Sequence, residues 1–425
     1  MTEISSCLYS TGQEAPVSGM YEVVGFGPAD EHGLESPIRD LHQKQVFPCY
    51  EGREVLWRLV RSQITWATGY SGSSRKAGSI PGTQTAAYSL RHLAEQGCLD
   101  SSAVSQMLRD SDLDDFHWHQ VWADDHFTTD AELPDRLGNV DGYVIFFHGW
   151  TGSSAIWEDL PGLAVTRNPR LVSLIADHNG FGETRFATPT PDFAQCSPLG
   201  AMRAAERWIA LLGLRRQCED PAPITINLVG HSMGGAALFF AQEANWRPGE
   251  LTRLAIAPAL FLHDDLRRAF CSTLSQEIKL TDHSHAMKAF EAIAEPRVLE
   301  AMTAGASRAV VQEHHRIYES TPRSVTARTL AAMGTITEHP RSVAWDHMRV
   351  ILGHRDLIVG LMPMVDLLQE LKFPVAQLRL VMGTHYLFSL GDTMREVHAQ
   401  NRQLVLDDIM FQHEEGLRRQ RAAKG

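Results

Sequence analysis

From residue 143 onward the chain repeats one alternation: a short apolar run, a glycine-rich or polar turn, then a stretch with helical periodicity. The apolar runs sit in YVIFFHGW, RLVSLIADHNGFG, ITINLVG, LTRLAIAPALF, MRVILGHRD and LRLVMGTHY. Between them stand PLGAMRAAERWIALLGL, an amphipathic helix, and SMGGAALFFAQEA, a second helix. Strands that are apolar throughout, instead of alternating, belong to a parallel sheet covered on both faces by helices. An α/β architecture with a mostly parallel sheet is therefore expected. FHWHQVW alternates in the manner of a half-buried strand, so the sheet-bearing part is expected to begin near residue 113.

One interval is too long for its place in that pattern. About 85 helical, charge-rich residues separate LAIAPALF from MRVILG, and they include AMKAFEAIAEPRVLEAM and SVTARTLAAMG. A parallel crossover needs only a dozen or so residues. The expected organisation is a core at 113–262 and 346–425, with a helical cap at 263–345 inserted after the sixth strand. Met287, Met302, Met333 and Phe290 of the cap are expected in its core.

Residues 1–112 form an extension, β-rich over about 8–63. APVSGMYEVVG (15–25) and FPCYEGREVLWRLV (47–60) are expected short strands among Gly and Pro turns. GYSGSSRKAGSIPGTQ follows as a loop, and AAYSLRHLAEQGCL as a helix of about three turns. The start of the chain resembles a small bacterial zinc-ribbon-like module, through Gly12-x-x-Ala15-Pro16-x-x-Gly19-x-Tyr21 and Phe47-Pro48-Cys49-x-x-Gly52. Cys49 is the only cysteine between residues 8 and 97, so a four-cysteine zinc site cannot form within it.

Composition narrows the function classes. The formal net charge is −12, and no long Lys/Arg run is present, which argues against nucleic acid and anionic membranes as partners. Six scattered cysteines without a CxxC pair read as free thiols of a reducing compartment. MTEISSCLYSTG lacks the basic and apolar regions of a signal peptide, and no apolar run approaches the roughly 18 residues of a membrane helix. A cytoplasmic protein without a membrane span is expected.

Ligands of doubly wound sheets bind at the carboxyl ends of the strands. After ITINLV comes Gly230-His231-Ser232-Met233-Gly234, the G-x-S-x-G pattern of a nucleophile elbow. A serine on a sharp strand-to-helix turn adopts strained dihedrals, and side chains at the flanking glycines would strike neighbouring backbone. The competing reading is an ordinary tight turn that happens to contain serine. The elbow makes further demands that separate the two. Acyl chemistry needs two oxyanion donors, and the N–H groups of Met233 and of Trp150, in the His148-Gly149-Trp150-Thr151-Gly152 turn, are the candidates. It also needs an acid and a histidine after the serine. Asp356 lies just past MRVILG, and His385 lies 29 residues later, past LRLVMG. Twenty histidines make one after some strand commonplace; one after the last strand, behind an aspartate after the previous strand, is not.

With HGWTG, the Asp177-His178-Asn179-Gly180-Phe181-Gly182-Glu183-Thr184 turn, GHSMGG, GHRD and GTHY in place, residues 113–412 resemble the α/β-hydrolase superfamily, in its capped-esterase branch. The resemblance implies Ser232 as nucleophile, His385 as general base and acid, Asp356 as the group orienting His385, and an oxyanion hole at Trp150 and Met233. It implies no organic cofactor and no metal, and a small-molecule ester or thioester as substrate. Serine at the nucleophile position argues against haloalkane dehalogenase and epoxide hydrolase chemistry. The Asp177 turn resembles the superfamily's D-x-x-G-x-G-x-S and is expected to be structural. Asp264 and Asp265, after the preceding strand, are the reserve acids.

Other signals are weaker. His117, His119, Asp124, Asp125 and His126 invite a metal reading, but FHWHQVW lies where the superfamily places its first antiparallel strands, far from the elbow. His314 and His315 in EHHRIYE are expected on a polar helix face. An acyltransferase or cyclase with a non-water acceptor shares every motif of the hydrolase, and a non-catalytic binding protein could share the fold. A homodimer through the N-terminal extension or the cap is the further partner expectation.

Overall fold

The computed structural model describes residues 80–123, 140–214, 223–242, 246, 249–262, 302–334, 340 and 345–423, together with four strands nearer the N-terminus. Those strands, β1 (Leu8–Ser10), β2 (Gly19–Gly25), β3 (Ile38–Leu41) and β4 (Leu56–Ser62), form an antiparallel sheet in the order β1-β4-β2-β3 within a compact unit, Met1–Arg75. β2 and β4 overlap the two strands expected there. Cys49 lies outside the described residues.

The second unit, Lys76–Gly425, is built on eight strands. They are β5 (Thr83–Ser89), β6 (His117–Ala123), β7 (Gly142–Phe147), β8 (Leu171–Ala176), β9 (Thr225–His231), β10 (Leu251–Ile256), β11 (Met348–Gly353) and β12 (Leu378–Val381). The order is β12-β11-β10-β9-β7-β8-β6-β5. Strands β7 to β12 pair parallel, and β6 runs antiparallel to both of its neighbours. This is the mostly parallel, helix-flanked sheet expected. Every residue of β7, β8, β9 and β10 is buried, so both faces of the sheet centre are covered.

The period of two along β7 divides the core. Tyr143, Ile145 and Phe147 join one apolar cluster, while Val144 and Phe146 join another. The first cluster takes most of its helical residues from α1 (Leu90–Glu95), α2 (Ser101–Asp110), α5 (Pro198–Leu211), α6 (Met233–Ala237), α8 (Arg323–Gly334) and α9 (Leu361–Glu370). The short α4 (Phe193–Cys196) leads into α5, whose start is fixed by Pro198 in the first turn and by Ser197, which accepts from the Gly200 N–H. The second cluster takes its residues from α3 (Leu160–Arg167), α7 (Arg308–Ser320) and α10 (Arg395–Ala422). Among the described residues no helix is long and apolar enough to cross a membrane.

Two helices are shorter than their sequences suggest. In AAYSLRHLAEQGCL the first residues belong to β5, and only Leu90–Glu95 is helical. Alanine's helix preference is worth tenths of a kcal/mol, and seven residues of pairing with β6 outweigh it. Ser89, at the strand's end, caps α1 by accepting from His92 N–H. The sheet thus starts at Thr83, ahead of the boundary expected near 113. In SMGGAALFFAQEA the helix stops at Ala237 and tightens to a 3-10 turn at Leu238–Phe240. The Leu238 carbonyl accepts from Arg253 Nη1, and the Gln242 N–H that would continue the helix donates to Glu206 instead.

The long insertion follows β10, the sixth strand of this sheet, and its described part carries α7 and α8. Met302 and Met333 are buried there, as expected. Met287, Phe290, Asp264 and Asp265 lie outside the described residues, as do Asp124, Asp125 and His126. His117 and His119 sit half-buried on β6.

Candidate active site

Sheet order reverses at β7, which lies between β9 and β8, so the loops leaving β7 and β9 meet at the carboxyl edge. Phe147 pairs with Gly230, and the residues that follow them in the chain are His148 and His231. The residue after His231 is Ser232, at φ 54° and ψ −116°. Strain of that kind costs on the order of 1–3 kcal/mol and persists only where its surroundings impose it. Here they do. A Cβ on Gly230 would lie 2.4 Å from the Gly234 carbonyl oxygen, and one on Gly234 would lie 2.3 Å from that of Phe147. Backbone bonds close the turn: Ser232 N–H donates to Ile256, Gly234 N–H to His148, and Ala236 and Ala259 N–H to the Ser232 carbonyl.

Met233 opens α6, and its N–H, at the first helical position, has no partner one turn earlier within the helix. Gly149 lies directly opposite, since a Cβ there would come within 2.9 Å of the Ser232 Cβ. The turn from Gly149 closes with Gly152 N–H donating to the Gly149 carbonyl, and Thr151 takes φ 54°. Trp150 is anchored by its indole N–H, which donates to the Thr326 carbonyl in α8.

Asp356 and His385 come from the ends of β11 and β12, and they meet. Asp356 Oδ2 lies 2.9 Å from His385 Nδ1, and Asp356 Oδ1 accepts from the Ile358 and Val359 N–H groups. Both side chains are buried. Gly353 permits the approach of the two loops, because a Cβ there would be 2.6 Å from the Gly383 carbonyl oxygen. His231 carries the connection on to the serine loop. Its Nε2–H donates to the His385 carbonyl at 3.0 Å, and the two rings are 4.7 Å apart. His385 Nε2 is buried and makes no hydrogen bond among the described residues.

Several neighbouring histidines are kept neutral. Burial lowers His148 to about 4 and His314 to about 3, and holds His178 and His231 well below the ordinary value. His148 uses its ring as a bracket: Nδ1–H donates to the Gly149 carbonyl and Nε2 accepts from the His178 N–H. The Asp177 turn is likewise a set of braces. Its carboxylate accepts from the Ser154 and Glu183 N–H groups, and Thr184 Oγ1 accepts from His117 N–H. Asn179 Nδ2 packs onto Met233 Sδ at 3.2 Å.

Sequence reasoning gave no role here to four residues: His314, Tyr386, Thr151 and Glu158. His314 is not on a polar face: it is wholly buried, on the side of α7 that also carries Val310 and Ile317. The spacing 310, 314, 317 is the helical repeat that marks a buried stripe, and it was the available signal. Tyr386 donates its hydroxyl to His314 Nε2, and Thr151 Oγ1 faces His314 Nδ1 at 3.0 Å. Glu158, at φ 53°, accepts from Ser389 and Leu390 in the loop after His385 and pairs with buried Arg402.

Among solved structures, the chain is similar to an esterase from Exiguobacterium antarcticum, at 13% identity and TM-score 0.45, over 64% of this chain and 93% of that one. A thermophilic esterase from Thermogutta terrifontis matches at 15% and 0.43, over 70% and 95%. The enol-lactonase from Burkholderia xenovorans LB400 matches at 15% and 0.43, over 69% and 96%. Comparison with curated proteins gives no match. The model of the alpha/beta hydrolase family matches residues 144–400, more than half of the chain, and spans every loop from the strand before His148 to the start of α10. The chain belongs to the alpha/beta hydrolase family.

Proposed function

We propose that the protein is a serine hydrolase that cleaves a carboxylic ester or thioester through an acyl-enzyme. The observation that carries this reading is Ser232 at φ 54°, ψ −116°, on a loop joined through His231 to the buried Asp356–His385 pair. A non-catalytic binding protein has no use for that strain.

In this reading His385 Nε2 takes the Ser232 hydroxyl proton as Oγ attacks the substrate carbonyl. Asp356 holds the proton on Nδ1, which keeps Nε2 the basic nitrogen and stabilises the imidazolium that forms. The N–H groups of Met233 and Trp150 receive the negative charge on the carbonyl oxygen. His385 then returns the proton to the leaving alkoxide or thiolate, and water resolves the acyl-enzyme by the same steps in reverse. The mechanism involves neither cofactor nor metal. The described residues of α7 and α8 form part of the proposed cap, and an aqueous, cytoplasmic setting goes with the reading.

The test is labelling with a fluorophosphonate probe, together with turnover of p-nitrophenyl esters of graded acyl length. Wild type should label and turn over, and Ser232→Ala should do neither. A folded wild type that does neither with probes of several sizes would refute the proposal.

A further inference from the structure

Resting on the serine-hydrolase reading, we propose that Thr151, His314 and Tyr386 form a buried positioning relay that keeps the Trp150 N–H aligned with the Met233 N–H as an oxyanion hole.

The loop that carries Trp150 cannot hold its own shape. Gly149 to Gly152 is a turn closed by a hydrogen bond from the fourth residue to the first, with a positive φ at the third. That is the pattern of a type II turn, and its third position ordinarily belongs to glycine. Here it holds Thr151, a β-branched residue for which φ 54° is unfavourable. Left alone, Thr151 would rotate to a negative φ, which opens the turn and carries the Trp150 N–H away from its place opposite Ser232.

Three hydrogen bonds oppose that rotation. Thr151 donates its hydroxyl to the Trp150 carbonyl at 2.7 Å, which fixes the peptide directly. With that proton committed, Thr151 Oγ1 can only accept from His314, so the proton on His314 sits on Nδ1. Nε2 is then the acceptor, and it takes the Tyr386 hydroxyl. One neutral tautomer satisfies the whole chain, and burial keeps His314 neutral, with its pKa lowered to about 3. Tyr386 is the residue after His385, so the relay runs from the loop of the proposed base, across α7, to the loop of the proposed oxyanion donor.

Packing alone does not account for the arrangement. Thr151, His314 and Tyr386 are 0%, 0% and 1% exposed, where apolar side chains would fill the space without desolvating polar groups. A second clamp joins the same two elements, since the Ser153 hydroxyl donates to Glu313, the neighbour of His314 on α7. The insertion thus grips two residues of the loop that follows Trp150.

Thr151→Val and Tyr386→Phe keep shape and remove one link each. With rates normalised to active sites titrated by the fluorophosphonate, each should lower kcat about 10- to 100-fold while KM stays within about threefold, as expected when a catalytic group is misplaced. Thr151→Ser, which restores a hydroxyl, should recover most of the loss. The double variant should lose little more than the worse single one, because both break one chain. Melting temperatures measured alongside separate folding from function. Unchanged kcat per titrated site in both single variants, a rise in KM alone, or additive losses in the double variant would overturn the relay. The wild type and Ser232→Ala controls judge the hydrolase reading separately. If the wild type neither labels nor turns over, that reading fails and the relay falls with it; if it does both while the relay variants are unaffected, only the relay fails.

Discussion

His385 Nδ1 stands 2.9 Å from Asp356 Oδ2, and the remaining oxygen of that carboxylate is held by the Ile358 and Val359 N–H groups. The backbone of the loop after β11 therefore aims the acid before the histidine arrives. An orientation fixed this way depends on charge and on which atom accepts. Asp356→Asn keeps the shape but presents an amide N–H or a neutral oxygen to Nδ1. Turnover of a p-nitrophenyl ester should fall on the order of 1,000- to 10,000-fold, with a melting temperature close to wild type. Near-normal turnover would mean that Asp356 does not orient His385.

The serine turn depends on missing atoms. Gly234→Ala would put a Cβ 2.3 Å from the Phe147 carbonyl oxygen and 2.6 Å from that of His148, both of them backbone that cannot swing aside. We expect a loss of about 3 kcal/mol or more, read as a lower urea midpoint. Gly97→Ala meets nothing within 4 Å and bears only the cost of φ +74°, about 1–2 kcal/mol. Equal losses for the two variants would show that crowding at the elbow is not what requires Gly234.

Acid should destabilise the fold before it titrates most carboxylates. His148 is lowered to about 4 and His314 to about 3, and His178 and His231 also lie well below the ordinary 6.5, in each case chiefly through burial. These rings are neutral in the folded state, while the unfolded chain binds protons at them below 6.5. Their stabilising effect is complete above that pH and is lost as pH falls from 6.5 toward about 4 for His148 and about 3 for His314. At pH 5.5 each ring that stays neutral when folded costs about 1.4 kcal/mol. Melting curves from pH 7.5 to 5 should show a steep fall beginning near 6.5, and a flat profile would contradict the buried neutral histidines.

Glu158 ties the loop after His385 to the helix behind it. Its carboxylate accepts from Ser389, Leu390 and buried Arg402, and Arg402 also donates to the Phe388 carbonyl. Glu158→Gln removes one of the two carboxylates paired with Arg402 and should cost about 1 kcal/mol, less than breaking a fully buried pair because Asp159 still faces the guanidinium and Glu158 keeps some exposure. Arg418→Gln breaks the exposed pair with Glu415 and should leave the urea midpoint unchanged. Similar shifts in both variants would argue against a buried role for Glu158.

The legible part of this protein was whatever repeats with a period or must be small. Apolar runs between helices specify a covered parallel sheet, because each run has to be buried on both faces. Gly230 and Gly234 are readable because crowding leaves no other residue possible, and the order of Ser232, Asp356 and His385 is readable because each follows its own strand. Local preference misled where pairing or a distant donor overruled it. Ala86 and Ala87 are strand residues because β6 lies beside them, and α6 ends early because Arg253 occupies the Leu238 carbonyl.

What the sequence determined by itself is the architecture and the positions of the chemical groups along the strand ends, since both follow from periodicity and steric necessity within short stretches. Only the tertiary structure decided which groups meet. His314 looked like a surface residue within its own helix, yet it lies between Thr151 and Tyr386, 163 and 72 residues away. A hydrogen bond between such residues depends on how whole elements pack, and no local pattern in the chain encodes that distance.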